Sequence, residues 1–122
     1  MVVVDASALA AVVFAEPEGD RMEARLAGAS LHAPTLIEYE MTSAALRRSR
    51  RQPAEARRFF SGLLVALDMD VELHPVDHPA VLALAMKTRL SVYDAAYLWL
   101  ARHLAVPLVT LDRNLAAAAA RH

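Results

Sequence analysis

Four carboxylates in this 122-residue chain stand where folding alone gives them little reason to be. Asp5 ends the run Met1-Val2-Val3-Val4, and Asp112 ends Val106-Pro107-Leu108-Val109-Thr110-Leu111. Each follows an apolar segment and precedes helix formers, the position of an N-cap, so a cap accounts for either Asp alone. Glu40 is more telling. On a helical wheel it falls between Leu36 and Ala44, on the apolar stripe that also carries Ile37 and Met41, whereas Glu38 points away. A carboxylate on a core-facing stripe is costly to bury unless an arginine pairs with it or a cation is held there. Asp94 is the only charged residue from Ser91 to Ala101. With Ser91 three residues earlier it resembles a capping box in which Asp replaces the usual Glu.

Two strand-end aspartates and two acids on apolar helix faces make a set that stability does not ask for. Like charges gathered in one place raise each other's pKa and repel, so the cluster is tolerable only with a cation. Oxygen donors alone select a hard ion, Mg²⁺ or Mn²⁺, which keeps several waters and meets phosphate oxygens. The chemistry this implies is metal-assisted phosphodiester hydrolysis.

For these acids to meet, the chain must bring strand ends and helix faces together. Val2-Val3-Val4 is apolar on both sides of the pleat, as in a strand buried within a parallel sheet whose carboxyl end takes the ligand. Helices are predicted over Ala6–Val13, Arg21–Ala27 ending near Gly28, Leu36–Arg51 stopped by Gln52-Pro53, Ala54–Ala66, Asp77–Thr88, Ser91–Leu104 and Leu115–Ala120. Ala29–Ala33 is a short, weak strand, Val71–Val76 alternates as a strand, and Val106–Leu111 is the last strong one. Strands alternating with helices predict an α/β fold with a parallel sheet covered on both faces. There is no internal repeat or linker, so residues 1–122 read as one domain.

Composition narrows the class. The chain is 57% hydrophobic, yet no apolar run approaches the roughly 18 residues of a membrane span. The N-terminus enters its first strand without the basic segment of a secretory signal, so the expected compartment is the cytoplasm. Cysteine is absent, which removes thiolate catalysis and zinc-thiolate sites. The formal charge is −1, but setting the four acids aside leaves 10 against 13 Lys and Arg, a mildly basic remainder. Arginine dominates it, with Arg47, Arg48, Arg50, Arg51, Arg57 and Arg58 in one region.

The motifs Val-Val-Val-Asp5-Ala-Ser7-Ala-Leu, Ala33-Pro34-Thr35-Leu-Ile-Glu38-Tyr-Glu40-Met, Leu90-Ser91-Val-Tyr-Asp94-Ala-Ala-Tyr97 and Leu-Val-Thr110-Leu-Asp112-Arg113-Asn-Leu together resemble a PIN domain. More narrowly, the chain resembles a VapC-type toxin, the ribonuclease half of a type II toxin–antitoxin pair. The resemblance spans nearly the whole chain in order. It implies a three-layer α/β/α sandwich with a mostly parallel sheet of about five strands. It also implies that Asp5, Glu40, Asp94 and Asp112 are the catalytic acidic quartet, with Asp5 and Asp94 as direct Mg²⁺ (or Mn²⁺) ligands. Glu40 and Asp112 would act directly or through water, and Ser7 and Thr110 would support the carboxylates. The expected reaction is hydrolysis of RNA phosphodiester bonds by activated water, leaving 5′-phosphate and 3′-hydroxyl ends.

The expected partners are an RNA substrate, a cognate antitoxin and a second copy of the chain. Tyr39 and Leu46 on the far side of the Leu36–Arg51 helix, with Phe59 and Phe60 after it, offer apolar surface for an antitoxin segment or a dimer unless neighbouring helices of the domain bury it. Arg47, Arg48, Arg50, Arg51 and Arg113 are candidates for contact with RNA or antitoxin, against the ordinary reading of a solvated helix end. His74 and His78 are four apart, but Pro75 and Pro79 interrupt any helix that would align them as ligands. Trp99 reads as core.

Other classes fit less well. A receiver domain needs a lysine ending a late strand, and the only lysine, Lys87, lies elsewhere. A haloacid-dehalogenase-like phosphatase needs Asp-x-Asp, where this chain has Asp5-Ala6-Ser7. The nearer alternatives are an RNA-processing nuclease of the same fold without an antitoxin, and an idle module that binds RNA or protein.

Overall fold

In the computed structural model, which describes residues 1–122, Val2–Val4 forms β1 with Val3 and Val4 fully buried. It turns directly into α1 (Ala6–Val13), and α2 (Gly19–Leu26) runs to a turn at Gly28, whose φ of +75° favours glycine. Then come β2 (Leu31–Pro34), α3 (Ile37–Arg51), a 3-10 turn at Pro53–Glu55, α4 (Ala56–Asp68) and β3 (Val71–His74). α5 (His78–Thr88), α6 (Val92–Leu104), β4 (Leu108–Val109) and α7 (Arg113–Arg121) complete the chain.

The sheet is entirely parallel, in the order β3-β2-β1-β4. It has four strands rather than about five. Every segment with strand character is used in these four, and the residues after β4 are helical, alanine-rich and strong helix formers. The first three strands are laid down in one direction, then the chain crosses back to place β4 on the far side of β1. The strand order therefore reverses between β1 and β4, which opens a crevice at their carboxyl ends. Asp5 and Asp112 follow those two strands.

The weakest strand in the sequence, β2, lies between two partners, with His32 and Ala33 buried. The clearest alternation, in β3, belongs to an edge strand. An interior strand buried on both faces shows no such contrast, whereas at this edge Glu72 and Leu73, on opposite faces, are both exposed.

α6 packs across β1, β2 and β4, and α1 against α2, α3 and α4. Phe14, at the end of α1, is fully buried and meets the edge of Phe59 at 5.6 Å between ring centres. Phe59 therefore belongs to the core and not to an exposed apolar face, whereas Phe60 is exposed. Gly62 lets α4 approach this closely: a Cβ there would sit 2.5 Å from the Val13 carbonyl oxygen and 2.6 Å from the Phe14 ring. Trp99 is partly buried against Val81 and Ala85 and stacks on His103.

Candidate active site

Asp5 is buried, and its carboxylate is held from three directions. Oδ1 accepts the Ala8 backbone N–H at 3.0 Å, capping α1, and the Ser7 hydroxyl at 2.7 Å, while Oδ2 accepts the Thr110 hydroxyl at 2.5 Å. Both hydroxyls are oriented in turn by the β4–α7 connection. The Leu111 N–H donates to Ser7 Oγ and the Asp112 N–H to Thr110 Oγ1, each at 2.9 Å. Each hydroxyl thus accepts from the backbone and directs its proton to one Asp5 oxygen. A carboxylate offers about four acceptor sites, so Oδ2 of Asp5 retains one.

Asp112 caps α7, its Oδ1 accepting the Leu115 N–H at 3.0 Å. Both strand-end aspartates are therefore caps, and capping occupies one oxygen of each. Asp94 follows only half of a capping box. Its backbone N–H donates to Ser91 Oγ at 3.1 Å, but its carboxylate makes no hydrogen bond within the chain. Glu40, on α3, accepts the Tyr97 hydroxyl at 2.6 Å, and Glu38 is exposed on the other side of the helix.

All four acids line one open cavity of about 540 Å³, together with Ser7, Tyr39, Ser43, Arg47, Tyr93 and Tyr97 among others. They come from the β1–α1 turn, α3, α6 and the β4–α7 turn. Burial pushes the Asp5 carboxyl above the usual carboxylate range, against its three hydrogen bonds, and the nearby Asp112 charge adds to the rise. Burial likewise raises Glu40, opposed by the Tyr97 hydrogen bond and reinforced by Asp94 and Asp5. Asp94 is raised by burial, then by Asp112 and Asp5. Burial and the Glu40 charge push the Tyr97 phenol strongly up, so it stays a proton donor. A cavity that raises three carboxylates and presents only oxygen donors on its acidic wall is matched by a hard divalent cation, whose charge offsets that destabilisation.

The PIN domain family matches residues 2–121. This chain belongs to that family. Among curated relatives, Ribonuclease VapC12 of Mycobacterium tuberculosis is 31% identical over 116 residues, covering 95% of this chain and 90% of the relative. Ribonuclease VapC3 of Pyrobaculum aerophilum is 34% identical over 125 residues, 93% of this chain and 91% of the relative. The crystal structure of the Pyrobaculum aerophilum protein PAE2754 superposes with a TM-score of 0.78 at 26% identity, covering 96% of this chain and 83% of the other.

The arginines divide. Arg47 is exposed at the rim of the PIN-domain cavity and donates to Ser43 at 2.9 Å. Arg48 also borders it, but its guanidinium is engaged by both oxygens of Glu16, each at 2.9 Å, and lies over the Phe14 ring. Arg58 pairs with Glu55, covers Phe59 and donates to the Phe14 carbonyl. Arg50, Arg51 and Arg113 are exposed and do not line the cavity. Sequence reasoning gave no role to Tyr97, Tyr93 or Ser43, and took Tyr39 for partner-binding surface on the far side of its helix, whereas it lines the cavity. For Tyr97 a signal exists: it lies three residues after Asp94 and so on the same helix face.

Proposed function

We propose that this protein is a metal-dependent endoribonuclease, the toxin of a type II toxin–antitoxin pair, and that it acts at the cavity lined by Asp5, Glu40, Asp94 and Asp112. The observation that carries the reading is that four acids from four separate segments face one cavity at the sheet's reversal point, in a chain whose relatives are named ribonucleases. Asp5, through its remaining Oδ2 site, and Asp94, with both oxygens unengaged, would hold Mg²⁺ or Mn²⁺ directly. Glu40 and Asp112 complete the set directly or through water. When bound, the ion lowers the pKa of water and offsets charge at the phosphate.

The chain's own residues do the rest. Ser7 and Thr110 fix the direction of the Asp5 carboxylate and oppose the rise that burial imposes on it, and Tyr97 does the same for Glu40. Arg47 meets RNA phosphate at the rim, and Tyr39 and Tyr93, both exposed on the cavity wall, provide faces on which unpaired bases stack. The products are 5′-phosphate and 3′-hydroxyl ends. Phe60, Leu64, Val65 and Leu67 on α4, with Tyr39 and Leu46 on α3, are exposed, which supports an antitoxin or a second copy covering this side. No helix is long and apolar enough to cross a membrane, and a cytoplasmic location fits the proposed role.

The test is incubation of total RNA with purified protein in Mg²⁺, in EDTA, and with Asp5→Asn in parallel, followed by mapping of 5′ ends. Discrete fragments that require both the metal and Asp5 are expected. An intact pool with folded, Mg²⁺-supplied wild type would contradict the catalytic reading.

A further inference from the structure

Away from the acidic cavity, three other side chains converge on the sheet. His32 pairs with Glu72 and Pro34 with His74 in the parallel register of β2 and β3. Side chains two apart share a face of a strand, so Glu72 and His74 project on one side, where His32 meets them. His32 Nδ1 lies 2.9 Å from His74 Nε2 and 3.2 Å from Glu72 Oε2, and one ligand atom from each residue lies within 4.8 Å of the others.

We infer that His32, Glu72 and His74 bind a zinc ion that ties the edge strand β3 to β2. Zinc bonds of about 2.0–2.1 Å in a tetrahedral shell put neighbouring ligand atoms roughly 3.3 Å apart. The two separations observed lie within a few tenths of an ångström of that. The metal-free arrangement leaves two ring nitrogens facing each other across 2.9 Å, a contact that needs a proton on one of them, with a carboxylate beside it. A dication takes the lone pairs of all three. His32 is 4% exposed and its Nε2 lies 3.3 Å from Ser30 Oγ, the kind of outer partner that orients a ligating imidazole. The Glu72 side chain is 67% exposed, so the fourth position opens to water.

Two imidazoles and one carboxylate suit a borderline ion, whereas the oxygen-lined acidic cavity suits a hard one. None of the three residues lines that cavity. The zinc site has its effect on the sheet: β3 has only one strand neighbour, and a metal across the β2–β3 pair restrains it. His74 pairs here with a residue 42 positions earlier, not with His78.

The full chain, stripped with EDTA and moved to chelator-free buffer, is titrated with ZnCl₂ and separately with CoCl₂. Asp94→Asn serves as the background, so that uptake by the acidic cavity is weakened and the result does not depend on the proposed nuclease site. One zinc per chain is expected, with a rise in Tm of at least about 5 °C at 100 times Kd. Cobalt should give the intense visible bands of a tetrahedral site. His74→Gln, at a partly exposed position, should weaken zinc binding by more than about 100-fold, a larger loss than removal of an outer partner. Glu72→Gln should weaken it by at least about 10-fold. The Mg²⁺-induced rise in Tm of the chain with Asp94 intact should be unchanged by either substitution. No zinc uptake in the Asp94→Asn background, or equal affinity in His74→Gln, would overturn the site.

Discussion

The strand-end and helix-borne walls of the acidic cavity hold the same kind of group in opposite ways. Asp5 and Asp112 each cap a helix, and Asp5 also closes a network of two hydroxyls and two backbone amides that joins β1 to the β4–α7 connection. Asp94 makes no side-chain hydrogen bond within the chain, and Glu40 makes one, to Tyr97. At the strand ends, position and stability rest on the same bonds. On the helices, the backbone supplies position, and the charge is a burden that a cation would relieve. Substitution of an Asp at either wall should therefore lower activity, with a loss of stability at the strand ends and none on the helices.

The largest effect is expected for Asp5→Ala. It removes the α1 cap and leaves the Ser7 and Thr110 hydroxyls without their acceptor, at about 2–4 kcal/mol. Cleavage should fall below detection, and denaturant unfolding should show the loss. Asp94→Asn should also lower cleavage by more than about 100-fold, yet leave the fold as stable or more so. Burial and the neighbouring Asp112 and Asp5 charges raise the folded-state value of Asp94, so ionising it weakens the metal-free fold progressively as pH rises through that value. In EDTA at neutral pH the Asn variant should gain about 2 °C in Tm, and the gain should shrink as pH falls and vanish below about pH 3, where the wild-type carboxyl is protonated in both states. A loss of stability at neutral pH would break the contrast between the two walls.

Tyr97→Phe sharpens it. Without the phenol, Glu40 has no partner, its carboxyl rises further, and stability falls by about 1 kcal/mol. The acid limb of the pH–rate profile should move to higher pH, so the loss of activity is greater at pH 6 than at pH 8. Arg47→Ala should have the smallest effect. Tm should not move, and RNA affinity should fall with a salt dependence shallower by about one phosphate contact.

The order of elements was legible because apolar runs and helix formers alternate cleanly, and the shared cavity was legible because each acid sits at a strand end or on an apolar helix stripe. The PIN family was readable from four short motifs in order. What escaped depends on distance in the chain. Nothing local to Arg48 announces Glu16, 32 residues away, and nothing local to Phe59 announces that Gly62 lets it reach Phe14. β2 looked weak because an interior strand needs no alternation, and His32 was hidden with it. Its meeting with Glu72 and His74 depends on cross-strand register, which a single sequence does not display.

The central claim is tested most directly by RNA cleavage with Asp94→Asn, the variant that should change the chemistry and spare the fold. With Mg²⁺, wild type should produce discrete fragments, while the variant, folded and with a Tm equal to or above that of wild type, should produce none. Cleavage by Asp94→Asn at the wild-type rate would contradict the assignment of the acidic cavity as the active site.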